Sequence, residues 1–120
     1  LVVGTEKDHV SPWKSVHKIT LLSDTDTTFI LASGGHNAGI VSEPGHPHRH
    51  HAVRHAAKGS PWLGPDEWLA QAQRQEGSWW PTMAAWLHAH SQGTVPGRKI
   101  ALRRALADAP GDYVKVRHDD

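Results

Sequence analysis

Asp8 and His36 are the residues best placed to do chemistry. Asp8 follows the β-prone run Leu1-Val2-Val3 and the Gly4-Thr5 that ends it; His36 follows Thr28-Phe29-Ile30-Leu31-Ala32-Ser33 and lies between Gly34-Gly35 and Gly39. In open α/β sheets, reacting groups sit beyond the carboxyl ends of the strands. A carboxylate beside an imidazole fixes the ring tautomer and stabilises its protonated form. The ring can then take a proton from a thiol or hydroxyl and return it later. Glycines around His36 let the backbone turn sharply and expose the ring, and Asn37 can bond locally to hold that turn. The plainer reading makes Asp8 a turn residue and His36 the end of a strand, and spacing alone leaves both open. His9 is a candidate site wall or part of a proton path; packing beneath Trp13 is its simpler role.

An acid after one strand and a base after the next form the second half of the nucleophile, acid, base order of α/β-hydrolases. The first half is missing: the chain has no Cys and no G-x-S-x-G. Zero Cys also excludes disulfides and thiolate zinc sites.

The elements around these residues predict an α/β fold. Leu1–Val3 and Thr27–Ala32 read as strands, the second apolar enough for burial on both faces. Ser11-Pro12 reads as the start of a short helix with Ser11 as cap, and Trp13, Val16, His17 and Ile19 on one side. Together they make two parallel core strands joined by a short crossover helix. Pro44 through Ala57 shows no apolar period and reads as loop. Gly64-Pro65-Asp66-Glu67 opens a helix that Gly77 breaks. Ser78 is expected to cap a Trp-rich helix in which Trp79, Met83, Trp86, Leu87 and His90 form an apolar stripe, with Gly93 closing it. Residues 1–93 are expected to be part of a catalytic domain and 94–120 a tail. In that tail Ala101–Ala107 suits a weak helical turn and Tyr113–Val116 a short strand.

The 120 residues suffice for one domain. A formal net charge of +1 gives no pull toward nucleic acid or anionic membranes. No run of about 18 apolar residues predicts a membrane-spanning helix. A chain that opens inside a strand with no initiator Met is expected to be part of a longer one. Eleven His and six Trp are the compositional outliers. His46, His48 and His50, in Gly45-His46-Pro47-His48-Arg49-His50-His51, are weak candidates for a metal site; a solvated loop is the simpler reading.

Four segments in order resemble the polyhydroxyalkanoate synthases, or poly(3-hydroxyalkanoate) polymerases, of the class I type. Gly4-Thr5-Glu6-Lys7-Asp8-His9-Val10-Ser11-Pro12-Trp13-Lys14-Ser15-Val16 is similar to their acid segment, and Leu31-Ala32-Ser33-Gly34-Gly35-His36-Asn37-Ala38-Gly39-Ile40-Val41 to their histidine segment. Gly77-Ser78-Trp79-Trp80-Pro81 with Trp86-Leu87 resembles their tryptophan motif, and Asp108-Ala109-Pro110-Gly111-Asp112-Tyr113-Val114 their usual chain end. The His-rich loop departs from the Lys/Arg-rich loop expected there.

The resemblance implies the C-terminal part of an α/β-hydrolase fold that transfers (R)-3-hydroxyacyl groups from CoA thioesters to a growing polyester. Within it, His36 would be the base for a Cys carried upstream. Asp8 would orient His36 and help deprotonate the incoming 3-hydroxyl, while His9 has no settled role. The resemblance also implies no cofactor, a homodimer, and a cytoplasmic location at the surface of polyester granules. Without the rest of the synthase the chain is expected to be inactive. A depolymerase or esterase of the same fold, with a serine on a missing segment, and a non-catalytic stand-alone module remain alternatives.

Overall fold

A computed structural model describes residues 1–99 and 106–117. It holds one mixed sheet of four strands in the order β1 (Val2–Thr5), β2 (Thr27–Ala32), β3 (His50–Ala56), β4 (Gln73–Glu76). β1 and β2 run parallel, with Val2 opposite Phe29 and Thr5 opposite Ala32, as the apolar runs predict. The connection between them carries two short helical turns, α1 (Trp13–Val16) and α2 (Ile19–Leu22), instead of one helix. Pro12, not Ser11, occupies the position before α1, and no side chain caps it. Ile19 is exposed, whereas Trp13 and Val16 pack on the sheet.

β2 is the centre of the core. Phe29, Ile30, Leu31 and Ala32 are at most 1% exposed. Because side chains alternate across a strand, Phe29 and Leu31 face one layer and Ile30 and Ala32 the other. The first layer is closed by Val2, Trp13, Val16, Leu63 and Trp68. The second is closed by Leu1, Val3, Val53, Trp79, Trp80 and Met83. Trp68 lies on α3 (Pro65–Gln71), whose Pro and acidic first turn are where the sequence places a helix start.

Two expectations are corrected. The segment expected to be loop from Pro44 to Ala57 contains β3, antiparallel to β2 and bonded on its other edge to β4. Its pattern is hard to read because a buried position holds His51, 2% exposed. That ring is satisfied by Thr82 Oγ1 at 2.9 Å and the Gly77 carbonyl at 3.3 Å, which is how a polar group is tolerated in a core. The helix expected to continue to Gly77 ends at Gln71, and the polar Gln73–Glu76 forms edge strand β4.

The Trp-rich helix, α4, spans Trp80–Ala89. Only its start meets the sheet, through Trp80 and Met83 together with the preceding Trp79. Leu87 is 50% exposed, and Trp86 stacks on His90 with ring centroids 4.0 Å apart. The expected stripe therefore does not form one buried face, and Gly93 lies beyond the His90 that closes the helix. Tyr113–Lys115 form a 3-10 turn and not a strand. The turn expected over Ala101–Ala107 lies largely outside the described residues. Among the described residues no helix is long and apolar enough to cross a membrane.

Candidate active site

The parallel ladder continues past β1 and β2. Glu6 N–H donates to Ala32 O and Lys7 N–H to Gly34 O, each at 2.9 Å. This brings the chain after β1 beside the turn after β2, and with it Asp8 beside His36. The Asp8 Oδ2 to His36 Nδ1 distance is 2.8 Å. The Asp8 side chain is 7% exposed and that of His36 47%, so the acid is sheltered and the ring is open to an incoming group.

Every lone-pair direction on Asp8 is used. Oδ1 accepts the Val10 and Ser11 backbone N–H groups at 2.9 and 2.8 Å. Oδ2 accepts Thr5 Oγ1–H at 3.2 Å along with His36. The Ser11 N–H lowers the Asp8 pKa most and burial opposes it. The bond to His36, the Val10 N–H and the His36 charge lower it further, to about 2 from an ordinary 3.8. An ionised carboxylate only accepts hydrogen bonds. The proton between the pair therefore belongs to His36 Nδ1, and the neutral ring has Nε2 free as a base.

The turn that carries His36 is compact. Gly39 N–H donates to Gly35 O at 2.8 Å, and Val41 N–H to Asn37 O at 2.9 Å. Asn37 thus holds the turn through its carbonyl. Gly34 has φ +106°, and a Cβ there would lie 2.9 Å from Arg49 Nη1. A Cβ on Gly39 would lie 2.5 Å from Thr5 Cγ2. These two glycines let the turn fold flat onto the end of β1.

A second acid–imidazole pair lies beside the first. His50 Nε2 sits 3.1 and 3.2 Å from the two Glu6 carboxylate oxygens. Glu6 lies just past β1 and His50 opens β3, so the pair ties the outgoing end of β1 to the start of β3. Ser33 in turn exchanges bonds with His50, donating its N–H to His50 O and accepting His50 N–H on Oγ. The sequence does not single out Glu6, because it meets His50 only through the β1–β2–β3 register.

The His-rich loop does not gather a metal site. His50 is taken by Glu6, His46 Nδ1 faces the Pro47 carbonyl at 3.0 Å, and His48 sits in the left-handed region at φ 58°. Among the described residues no group of three or more His, Asp or Glu is placed to hold a metal ion. His9 is exposed, so it does not pack beneath Trp13; the buried ring there is His17, edge-on to Trp13 with centroids 6.2 Å apart.

A cavity of about 190 Å³ opens at the other end of the sheet, beside Thr27 and Ala56. His17, Phe29, Trp62 and Trp68 line it. It is remote from the strand ends that carry Asp8 and His36.

Fold and site together define an α/β protein with an acid–base pair at the carboxyl ends of adjacent parallel strands. Over nearly its whole length the chain is homologous to a stretch of curated poly(3-hydroxyalkanoate) polymerases. It is 35% identical over 119 residues to poly(3-hydroxyalkanoate) polymerase 2 of Ectopseudomonas oleovorans, covering 96% of this chain and 20% of the relative. It is also 35% identical over 119 residues to the poly(3-hydroxyalkanoate) polymerase subunit PhaC of Cupriavidus necator, covering 97% and 20%. The PhaC subunit of Rhizobium meliloti is 33% identical over 116 residues, covering 96% and 18%. The chain thus spans about one fifth of the length of these curated relatives. No family model matches it.

Proposed function

We propose that this chain supplies the acid and the base of a polyhydroxyalkanoate synthase, an acyltransferase with an α/β-hydrolase-type catalytic domain whose Cys nucleophile lies on further polypeptide. The observation that carries this reading is the 2.8 Å contact between Asp8 and His36 at the ends of two parallel strands. His36 Nε2 takes the thiol proton, and the thiolate attacks the carbonyl carbon of an (R)-3-hydroxyacyl-CoA. The C–S bond to CoA breaks, and the proton on Nε2 passes to the departing CoA sulfur. The acyl group is then held as an enzyme thioester. In the elongation step the 3-hydroxyl oxygen of an incoming monomer attacks the carbonyl carbon of the enzyme thioester, its proton goes to Nε2, the C–S bond to the Cys breaks as the ester C–O bond forms, and Nε2 returns the proton to the departing Cys sulfur.

Asp8 orients the ring and balances its charge. A carboxyl with a pKa of about 2 and four bonds already accepted is a poor proton acceptor, which supports assigning both proton transfers to His36. His9 is exposed beside Asp8 and has room to line the substrate path. A homodimer working in the cytoplasm at the surface of polyester granules completes the proposal.

The test is His36→Ala in the complete polymerase that carries this segment, assayed by CoA release from (R)-3-hydroxybutyryl-CoA. Turnover is expected to fall about 10²- to 10⁴-fold, the range of a lost general base. Turnover at the parent level would reject the reading. The 120-residue chain alone is expected to release no CoA, and to support release once the Cys-bearing part is supplied.

A further inference from the structure

Residues 35–41 wind as a single helical turn, closed by the Gly39-to-Gly35 and Val41-to-Asn37 bonds. A turn of this kind leaves its last carbonyls with no partner inside it. Buried carbonyls left so are costly. Here the tryptophan segment meets them. Trp79 Nε1–H donates to Gly39 O at 3.0 Å, and Trp80 Nε1–H donates to Ile40 O at 2.9 Å. One step further, Ser78 Oγ donates to Ser42 O and accepts Trp80 N–H at 3.0 Å. Ser78 and Trp79 are each 6% exposed and Ser42 is 1% exposed, so water competes little for the Ser78–Ser42 and Trp79–Gly39 bonds, whereas the Trp80–Ile40 bond is exposed.

The segment is itself fixed. Trp79 packs with Ile30 and Ala32, the centre of the sheet, and Trp80 and Met83 close the same cluster. Gly77 N–H donates to Arg49 O at 2.7 Å, and the Gly77 carbonyl meets the buried His51. Three consecutive residues on a rigid base therefore reach three carbonyls of the strip that begins just after His36. We infer that Ser78, Trp79 and Trp80 are a latch that positions the His36 ring against Asp8. The inference rests on His36 being the base and deepens that reading. Among the described residues none of the three hydrogen-bonds to Asp8 or His36, so they are positioning residues. They act through the backbone of the turn.

The experiment uses the complete polymerase with Trp79→Phe, Trp80→Phe and Ser78→Ala, each removing one donor. Trp86→Phe is the control, since that ring stacks on His90 and donates nothing to the turn among the described residues. Hydrogen exchange by mass spectrometry is read over residues 33–42 and over β2, alongside kcat and KM. The latch variants are expected to exchange faster over 33–42 with β2 still protected. Their kcat is expected to fall roughly 10- to 100-fold with KM within about twofold, as for misplacement of a reacting group. Trp86→Phe should match the parent. Unchanged exchange over 33–42 in all three variants overturns the latch whatever the activity, and Ser78→Ala, which deletes a single oxygen, guards against simple unfolding by loss of a Trp. Faster exchange with kcat at the parent level also overturns it, provided His36→Ala is inactive. Faster exchange with an active His36→Ala keeps the latch as a structural device and rejects His36 as the base.

Discussion

Replacing Asp8 by Asn separates the charge of the pair from its shape. Oδ1 accepts two backbone N–H groups, from Val10 and Ser11, at 2.9 and 2.8 Å. An amide nitrogen cannot replace it there, because donor would face donor. The Asn oxygen must therefore take the Oδ1 place, and its NH₂ must take the Oδ2 place, facing Thr5 Oγ1 and His36 Nδ1. Thr5 can turn its hydroxyl to accept. His36 can adapt only by moving its proton from Nδ1 to Nε2, which removes the lone pair proposed to take the thiol proton. The fold keeps its bonds while the base is held in the wrong tautomer. The expected loss in kcat is on the order of 10⁴-fold, the scale seen when an orienting Asp becomes Asn in a Ser-His-Asp triad. CoA release from (R)-3-hydroxybutyryl-CoA by the complete polymerase measures the rate, and ¹⁵N shifts of the His36 ring report the tautomer. Turnover within about tenfold of the parent, or a ring that keeps its proton on Nδ1, would overturn the role given to the Asp8 charge.

Asp8 also predicts an acid dependence. Its folded pKa of about 2 lies below 3.8, so its bonds contribute stability that is present above pH 4 and is lost as pH falls toward 2. Acid unfolding followed by circular dichroism should be shallower in Asp8→Asn over that window. His17 is 1% exposed, and burial lowers its pKa from 6.5. The unfolded chain then binds the extra proton first, so stability is full above pH 6.5 and declines below it. In His17→Phe, urea midpoints should lose that dependence between pH 7 and 5. Gly39→Ala pushes a Cβ to 2.5 Å from Thr5 Cγ2, and overpacking of this kind costs about 1–3 kcal/mol. Urea denaturation measures it, and His36 should lose its contact with Asp8 in the same variant.

The part of the site legible in the sequence is the part written in apolar strands. Leu1-Val2-Val3 and Thr28–Ala32 are β-prone and continuous, so the strand ends could be found and Asp8 and His36 with them. β3 was hidden because His51 takes a core position with both ring nitrogens satisfied, and β4 because an exposed edge strand needs no apolar alternation. The tryptophans were legible as bulk only. Trp79 and Trp80 do enter the core, but their indole N–H groups aim at Gly39 and Ile40. The need of a buried indole for a hydrogen-bond partner was the signal available; the partner itself is set by tertiary packing. Glu6 and His50 lie far apart in the chain and meet only through the β1–β2–β3 register.

In the proposed function, His36, held by Asp8, activates a thiol supplied by the rest of the polymerase. The rate of iodoacetamide alkylation of the nucleophilic Cys at pH 7 tests it most directly, because that rate follows the thiolate fraction. Alkylation is expected to be slower in His36→Ala than in the parent polymerase, with Asp8→Asn close to His36→Ala. Equal rates in all three proteins would contradict it.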